Sequence, residues 1–317
     1  MKSTITASSS LLDALQLLVP GASNRTLRQM LSQGRVSVNG VACPFAAHPI
    51  KAGDVLEIGP RRTPTKLPKG MEIVYEDSDI LVIRKPVGLL TVATADEREK
   101  TAFAYLRNYL RERNPKQKLY IVHRLDKFAS GVLVFARSEK VQSILQGVFG
   151  RHEIQRKYWA IVEGSVKQNR GVIQSRLVQD RSLRMHSTQD RSQGKPAVTH
   201  FAVLRRHQNV TALEVTLETG RKNQIRAHLS EMGHPIVGDR AYGSSKDPLG
   251  RLGLHAFLLG FKHPTQGSPL LFRTDPPPEF VRYLPEGSRE DAKDVSNFSR
   301  PSRLRERSFA RKGFRDR

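Results

Sequence analysis

The chain is predicted to be an α+β protein: a mixed, largely antiparallel sheet with flanking helices, preceded by a small N-terminal α/β module. Three observations carry that expectation. Short apolar or alternating runs recur between residues 71 and 285, among them Ile80-Leu81-Val82-Ile83, Val132-Leu133-Val134-Phe135-Ala136 and Val210 to Leu217. Each has the length of a strand. Few stretches between them carry helical spacing, and several strand runs with a few helices fit an α+β layer. The first sixty residues pattern differently, and the basic, proline-punctuated stretch Pro60 to Gly70 sets them apart.

Each element follows from local chemistry. Leu11, Leu12, Leu15, Leu17 and Leu18 make a short amphipathic helix. Ser23 or Asn24 caps a second, with Leu27, Met30 and Leu31 inward and Gly34 as its stop. Val36-Ser37-Val38 alternates as a strand into the hairpin turn Asn39-Gly40. Gly53-Asp54 turns into the strand Val55 to Ile58. Beyond the linker, Ile73-Val74-Tyr75 and Ile80 to Ile83 are strands joined by the turn Glu76 to Asp79. Thr101 caps a helix running to Arg113, with Leu106 and Leu110 inward, and Ser138 to Gly150 forms another. Tyr158 to Val162 is a strand. Asn223 to Met232 is a helix with Ile225, Leu229 and Met232 on one side and Arg226 at its entrance. Leu254 to Ala256 and Leu258 to Phe261 are late strands, and Pro276-Pro277-Pro278 starts a final helix. The expected organisation is thus a module over 1–60, a linker over 61–70, a main domain over 71–285 and a disordered basic tail over 286–317.

Composition narrows the function classes. The 317 residues carry a formal net charge of +23, which points to a polyanionic partner. The single cysteine, Cys43, excludes an intrachain disulfide and a cysteine-rich zinc site, and is expected to be a small packed residue. No apolar run reaches the 18 residues of a membrane span. Asp13 and Gln16 interrupt the apolar stretch near the N-terminus, so a signal peptide fits poorly and a cytoplasmic location is expected. The tail from Arg300 to Arg317 has eight basic and two acidic residues with Phe309 and Phe314 interleaved, a composition suited to RNA contact.

The most informative stretch is His123-Arg124-Leu125-Asp126-Lys127-Phe128-Ala129-Ser130-Gly131, directly before the buried strand. Cations flanking Asp126 are expected to lower its pKa and keep it ionised. His123, His228 and His234 lack compact metal-ligand spacing and are expected to satisfy hydrogen bonds. Asp239 is expected in a turn with Gly238. His123-Arg124-Leu125-Asp126 has some likeness to a kinase catalytic loop, but neither a glycine-rich nucleotide loop nor an Asp-Phe-Gly triplet accompanies it.

Four blocks in order extend the signal: Lys85-Pro86-Val87-Gly88-Leu89, the Asp126 stretch, Arg156-Lys157-Tyr158-Trp159-Ala160-Ile161-Val162, and Thr219 to Leu229 running on into Gly233 to Gly243. In that order they resemble the RluA family of RNA pseudouridine synthases, over roughly residues 70 to 285. The chain departs from the family at Phe128-Ala129, where a polar residue and Thr are usual, and at Lys222-Asn223, where Thr or Ser and then His are usual. The resemblance implies that Asp126 is the catalytic aspartate, that Tyr158 stacks on the target base, and that Arg226 pairs with the aspartate. It implies that Arg124 helps hold the flipped-out nucleotide or fills its place, and that no cofactor is needed. Lys127 and Arg221 are further candidates for phosphate contact. The N-terminal module resembles the S-four-like RNA-binding domain, which implies RNA contact by Arg25, Arg28 and Arg35. The implied partner is RNA, most readily large-subunit ribosomal RNA, and a monomer is the default.

Pseudouridine formation breaks the N1–C1′ bond, turns the uracil and rejoins it through C5. Asp126 could attack C1′ or remove the 2′-proton, and the sequence does not separate the two. A carboxylate in a dry pocket needs a cationic partner. At about 4 Å and an effective dielectric near 20, an Arg226–Asp126 pair gains roughly 4 kcal/mol of Coulomb attraction. The competing readings are a non-catalytic RNA-binding ribosome-assembly factor and a base-excising glycosylase.

Overall fold

A computed structural model describes residues 1–32, 34–59 and 67–283. Most of the predicted linker and the predicted tail lie outside the described residues.

Residues 1–59 build their own sheet, in the order Lys2–Thr4, Val55–Ile58, Val36–Val38, Val41–Ala42. Two helices, Leu11–Leu18 and Asn24–Ser32, accompany it. Ser10 caps the first by accepting from the Asp13 N–H, and Ser23 Oγ accepts from the Thr26 N–H at the start of the second. Leu11, Leu15, Leu27, Leu31, Val36, Cys43 and Leu56 share one buried cluster. Asn39 and Gly40 both have positive φ, 53° and 79°, the pair that a tight type I′ hairpin requires. The sequence reading missed the strand Lys2–Thr4, whose three polar or charged residues carry no apolar alternation.

The remainder is organised on an eleven-stranded sheet. Its path runs Met185–Thr188, Arg170–Gln179, Lys195–His207, Val210–Leu217, Gln155–Glu163, Leu254–Lys262, Ser130–Ala136, Ile80–Lys85, Glu72–Glu76. Tyr120–Ile121 and Pro269–Arg273 pair off this path. The pairings are antiparallel except one: Ser130–Ala136 runs parallel to Leu254–Lys262, with Ser130 opposite His255 and Gly131 opposite Ala256. The mixed, largely antiparallel sheet is therefore present. Gly131 makes the parallel junction possible. It has φ +124°, and a Cβ there would lie 2.1 Å from the Ala256 carbonyl oxygen.

Three strands between Arg170 and His207 were not anticipated. Arg170–Gln179 alternates exposed with half-buried residues and has one fully buried side chain, Leu177, so its apolar signal is weak. The two predicted late strands are one continuous strand, because Phe257, the residue between them, stays extended. Helix Ala102–Arg113 is capped by Thr101 as its sequence predicts, and in the second helix, Glu139–Gly150, Ser138 is the cap. The last helix, Pro278–Tyr283, starts at the third proline of its run.

Candidate active site

Asp126 lies in the segment that joins Tyr120–Ile121 to the buried strand Ser130–Ala136. Its carbonyl accepts from the Ala129 N–H at 3.2 Å, which closes a four-residue turn with Lys127 and Phe128 at its tip. The turn is braced from below. Lys85, fully buried, aims its ammonium at the carbonyls of Pro86, Leu89 and Lys127, at 3.0, 2.6 and 3.2 Å. The Gly88 N–H also donates to the Lys127 carbonyl, at 2.9 Å. Burial pushes the Lys85 pKa down to about 7, while Asp126 pulls it up; the three carbonyl acceptors favour the ammonium. The sequence quoted Lys85 within a motif and gave it no role. Its signal is a second cation, after Arg84, closing a strand that opens with four apolar residues.

Asp126 shares a cleft with Arg124, Tyr158, Leu217, Arg221, Asn223, Gln224, Ile225, Arg226 and Leu254. The predicted catalytic residues Asp126, Tyr158 and Arg226 are thus brought together, with Arg124 and Arg221 beside them. Lys127 sits at the exposed turn tip. Arg25 and Arg28 are exposed on the N-terminal module, one helical turn apart. Arg35 is half-buried and spends its guanidinium on the Gly59 carbonyl, at 3.2 and 3.3 Å.

Arg226 Nη1 stands 3.8 Å from Asp126 Oδ2. Its closer partner is Asp239, whose carboxylate accepts two hydrogen bonds from Arg226, both at 2.7 Å. Arg226 also donates to Asn223 Oδ1 at 3.1 Å and lies over the Tyr242 ring at 4.6 Å. Asp239 is only 2% exposed. It follows Gly238 as expected, but it is also the anchor of the site arginine. A bidentate carboxylate fixes the plane of a guanidinium, so Arg226 reaches Asp126 with its geometry already set. The sequence could not reveal this, because the pairing depends on the return of the chain thirteen residues later.

The helix Gln224–Glu231 presents Arg226. Asn223 enters it with φ 51°, a left-handed conformation that Asn tolerates. Gln224 is buried and fully bonded: it accepts from Thr219 Oγ1 and the Arg221 N–H and donates to the Val198 carbonyl and Thr199 Oγ1. Tyr158, 8% exposed, sits at a register shift in Gln155–Glu163. His228 bonds to Ser175 and Thr199, and His234 to the Glu163 carbonyl.

One electrostatic expectation is corrected. Burial raises the Asp126 pKa, and the attraction of Arg226, Arg124 and Lys85 does not bring it back. Asp239 adds to the rise. Burial, the largest cause, outweighs the flanking Arg124, and Arg226 is shared with a second carboxylate, Asp239. Burial likewise raises the Tyr158 phenol, against the pull of Arg156. Arg156 itself is buried beside this wall with its Nε unpartnered, its Nη2 donating to the Glu218 carbonyl at 3.1 Å.

An ionisable carboxylate, a cation and a phenol, walled by Leu217, Ile225 and Leu254, suit a flipped-out base and its ribose. The family model of RNA pseudouridylate synthases matches residues 79–231, which span the Asp126 turn, Tyr158 and Arg226. The solved structure of human RNA pseudouridylate synthase domain containing 4 is similar, with TM-score 0.56, 26% identity, and coverage of 67% of this chain and 91% of that one. The uncharacterized RNA pseudouridine synthase YlyB of Bacillus subtilis is 34% identical, covering 85% of this chain and 90% of its own length. Ribosomal large subunit pseudouridine synthase D of Yersinia pestis is 31% identical, over 86% and 88%. The chain belongs to the RluA family of RNA pseudouridine synthases. It is an RNA-modifying isomerase. No helix among the described residues is long and apolar enough to cross a membrane.

Proposed function

We propose that this synthase converts uridine to pseudouridine in large-subunit ribosomal RNA, with Asp126 as the reacting carboxylate. The observation that carries the assignment is the Asp126–Arg226–Asp239 arrangement at the mouth of a cleft walled by Tyr158. The substrate class is supported by the relatives named as ribosomal large subunit synthases.

In this reading the target uridine leaves its stack, at a cost of a few kcal/mol. Tyr158 recovers part of that cost by stacking on the uracil, and Arg124 holds the displaced nucleotide or fills its place. Asp126 then acts on the ribose, at C1′ or at the 2′-proton. The N1–C1′ bond breaks, the uracil turns, C5 bonds to C1′, and the C5 proton leaves with help from the Tyr158 hydroxyl. Arg226 keeps the carboxylate ionised when the base excludes water. Lys127 and Arg221 meet flanking phosphates. Residues 1–60 add RNA affinity through Arg25, Arg28 and Arg35, and the protein works as a cytoplasmic monomer. Enzyme relatives over most of the chain speak against a non-catalytic assembly factor.

The test is a map of pseudouridines in total RNA from cells lacking the gene, complemented with wild type or Asp126→Asn. Sites in large-subunit RNA restored by wild type alone support the proposal. Restoration by Asp126→Asn removes the aspartate from the chemistry, and no change at any ribosomal site removes the substrate.

A further inference from the structure

Phe128 is a large apolar side chain beside the site that the reaction leaves unexplained. It is 51% exposed, although it lies two residues from Asp126. It occupies the tip of the turn closed by Asp126 and Ala129. Apolar residues on either side differ sharply from it: Leu125, just before the turn, and Ala129, which closes it, are buried in the main core at 6% and 2%. The turn has the means to bury an apolar group and does not bury this one.

The backbone under Phe128 is fixed. Lys85 and Gly88 both hold the Lys127 carbonyl, and the Ala129 N–H is tied to Asp126. The ring is therefore presented on a rigid support with two side-chain torsions to order. The Lys127 ammonium sits 5.4 Å from the ring centroid, and Arg124, four residues before Phe128, is also exposed. Exposed cations flanking an exposed aromatic form a platform on which a nucleic-acid base stacks while its phosphates meet the charges. A protein partner would have to bury Lys127 and Arg124 beside the ring, which is costly for unpaired charges.

We infer that Phe128 is a base-stacking residue that holds a nucleotide flanking the target uridine. It sets which sequence neighbours the enzyme accepts. The inference rests on the proposed RNA substrate and goes beyond it, because the flanking nucleotide is a contact separate from the Asp126 cleft.

The test uses the full-length protein and a transcript of large-subunit ribosomal RNA whose uridines are tritiated at C5. Binding is titrated by filter retention over a range of salt, and tritium release follows turnover. Phe128→Ala is expected to weaken binding roughly five- to 150-fold, the range of a lost base–aromatic stack. The loss should be the same factor at every salt concentration, because stacking releases no counterions. KM should rise with kcat near wild type. Phe128→Trp should restore binding, and Phe128→Leu, apolar without a π-face, should not. Unchanged binding in Phe128→Ala overturns the inference, as does full rescue by Leu or an effect that vanishes at high salt. Should wild type bind the transcript yet release no tritium, the substrate assignment fails, and the binding series still decides Phe128.

Discussion

Arg226 and Arg25 carry the same guanidinium in opposite settings. Arg226 is 14% exposed and bonded to Asp239 and Asn223, with Tyr242 beneath it. Arg25 stands exposed on a nine-residue helix together with Arg28. A buried arginine must be paired, since an unpaired buried charge is expensive. Its position is then precise to the pairing geometry, which is what a reacting carboxylate needs. An exposed arginine keeps its hydration and its freedom, which suits loose contact with phosphates. The comparison teaches that this chain uses few of its cations for chemistry, and that those are the ones taken out of water and given acidic partners.

The largest effect that can break this contrast is on turnover. Asp126→Asn should lower the rate by about 10²- to 10⁴-fold or more, the usual worth of an acid–base group, read as tritium release from RNA. Its stability should move the other way. The raised Asp126 pKa means that the folded state binds this proton more tightly than the unfolded chain. That contribution to stability is present at low pH and lost as pH rises through the folded pKa. At neutral pH the ionised carboxylate is a burden, so Asp126→Asn should melt at or above the wild-type temperature, with the difference shrinking on acidification. A clear drop in melting temperature at neutral pH would show that Asp126 is a structural partner of Arg226.

Asp239→Ala comes next. Removing one partner of a buried pair costs about 3–5 kcal/mol, so the denaturation midpoint should fall strongly and turnover with it. Gly131→Ala should also destabilise, because its Cβ would strike the Ala256 carbonyl at the parallel junction; urea titration checks both. A smaller effect lies in the pH profile. The acidic limb of kcat/KM should sit above the ordinary aspartate range, since burial raises Asp126. A limb within that range would mean that the free enzyme's site is wetter than its geometry implies.

The smallest effect belongs to the exposed set. The double substitution Arg25→Ser, Arg28→Ser should leave kcat unchanged and weaken RNA binding mildly. The slope of log K against log salt should flatten by about 1.5, two phosphate contacts' worth. An unchanged slope would remove the N-terminal helix from the RNA interface.

Much of this was legible in the chain. Thr101 and Ser138 announced two helix starts, Asn39-Gly40 a hairpin, and the run Val132 to Ala136 a buried strand. These are local signals, set by caps, turn conformations and apolar spacing within a few residues. The cluster of Asp126, Tyr158 and Arg226 was legible too, through motif order, since the fold brings three ordered blocks into one cleft. The strands Arg170–Gln179 and Lys195–His207 were not, because they are half-exposed and their pairing, more than their composition, makes them strands.

The sequence by itself determined the charge and many of the local elements, and it singled out Asp126 as the candidate carboxylate. Only the tertiary structure decided that Asp239 anchors Arg226, that Lys85 braces the Asp126 turn, and that burial outweighs the neighbouring cations in setting the Asp126 pKa. Each of these is a balance between desolvation and a partner distant in the chain. Desolvation depends on how much water the whole fold removes, which no local stretch of residues encodes.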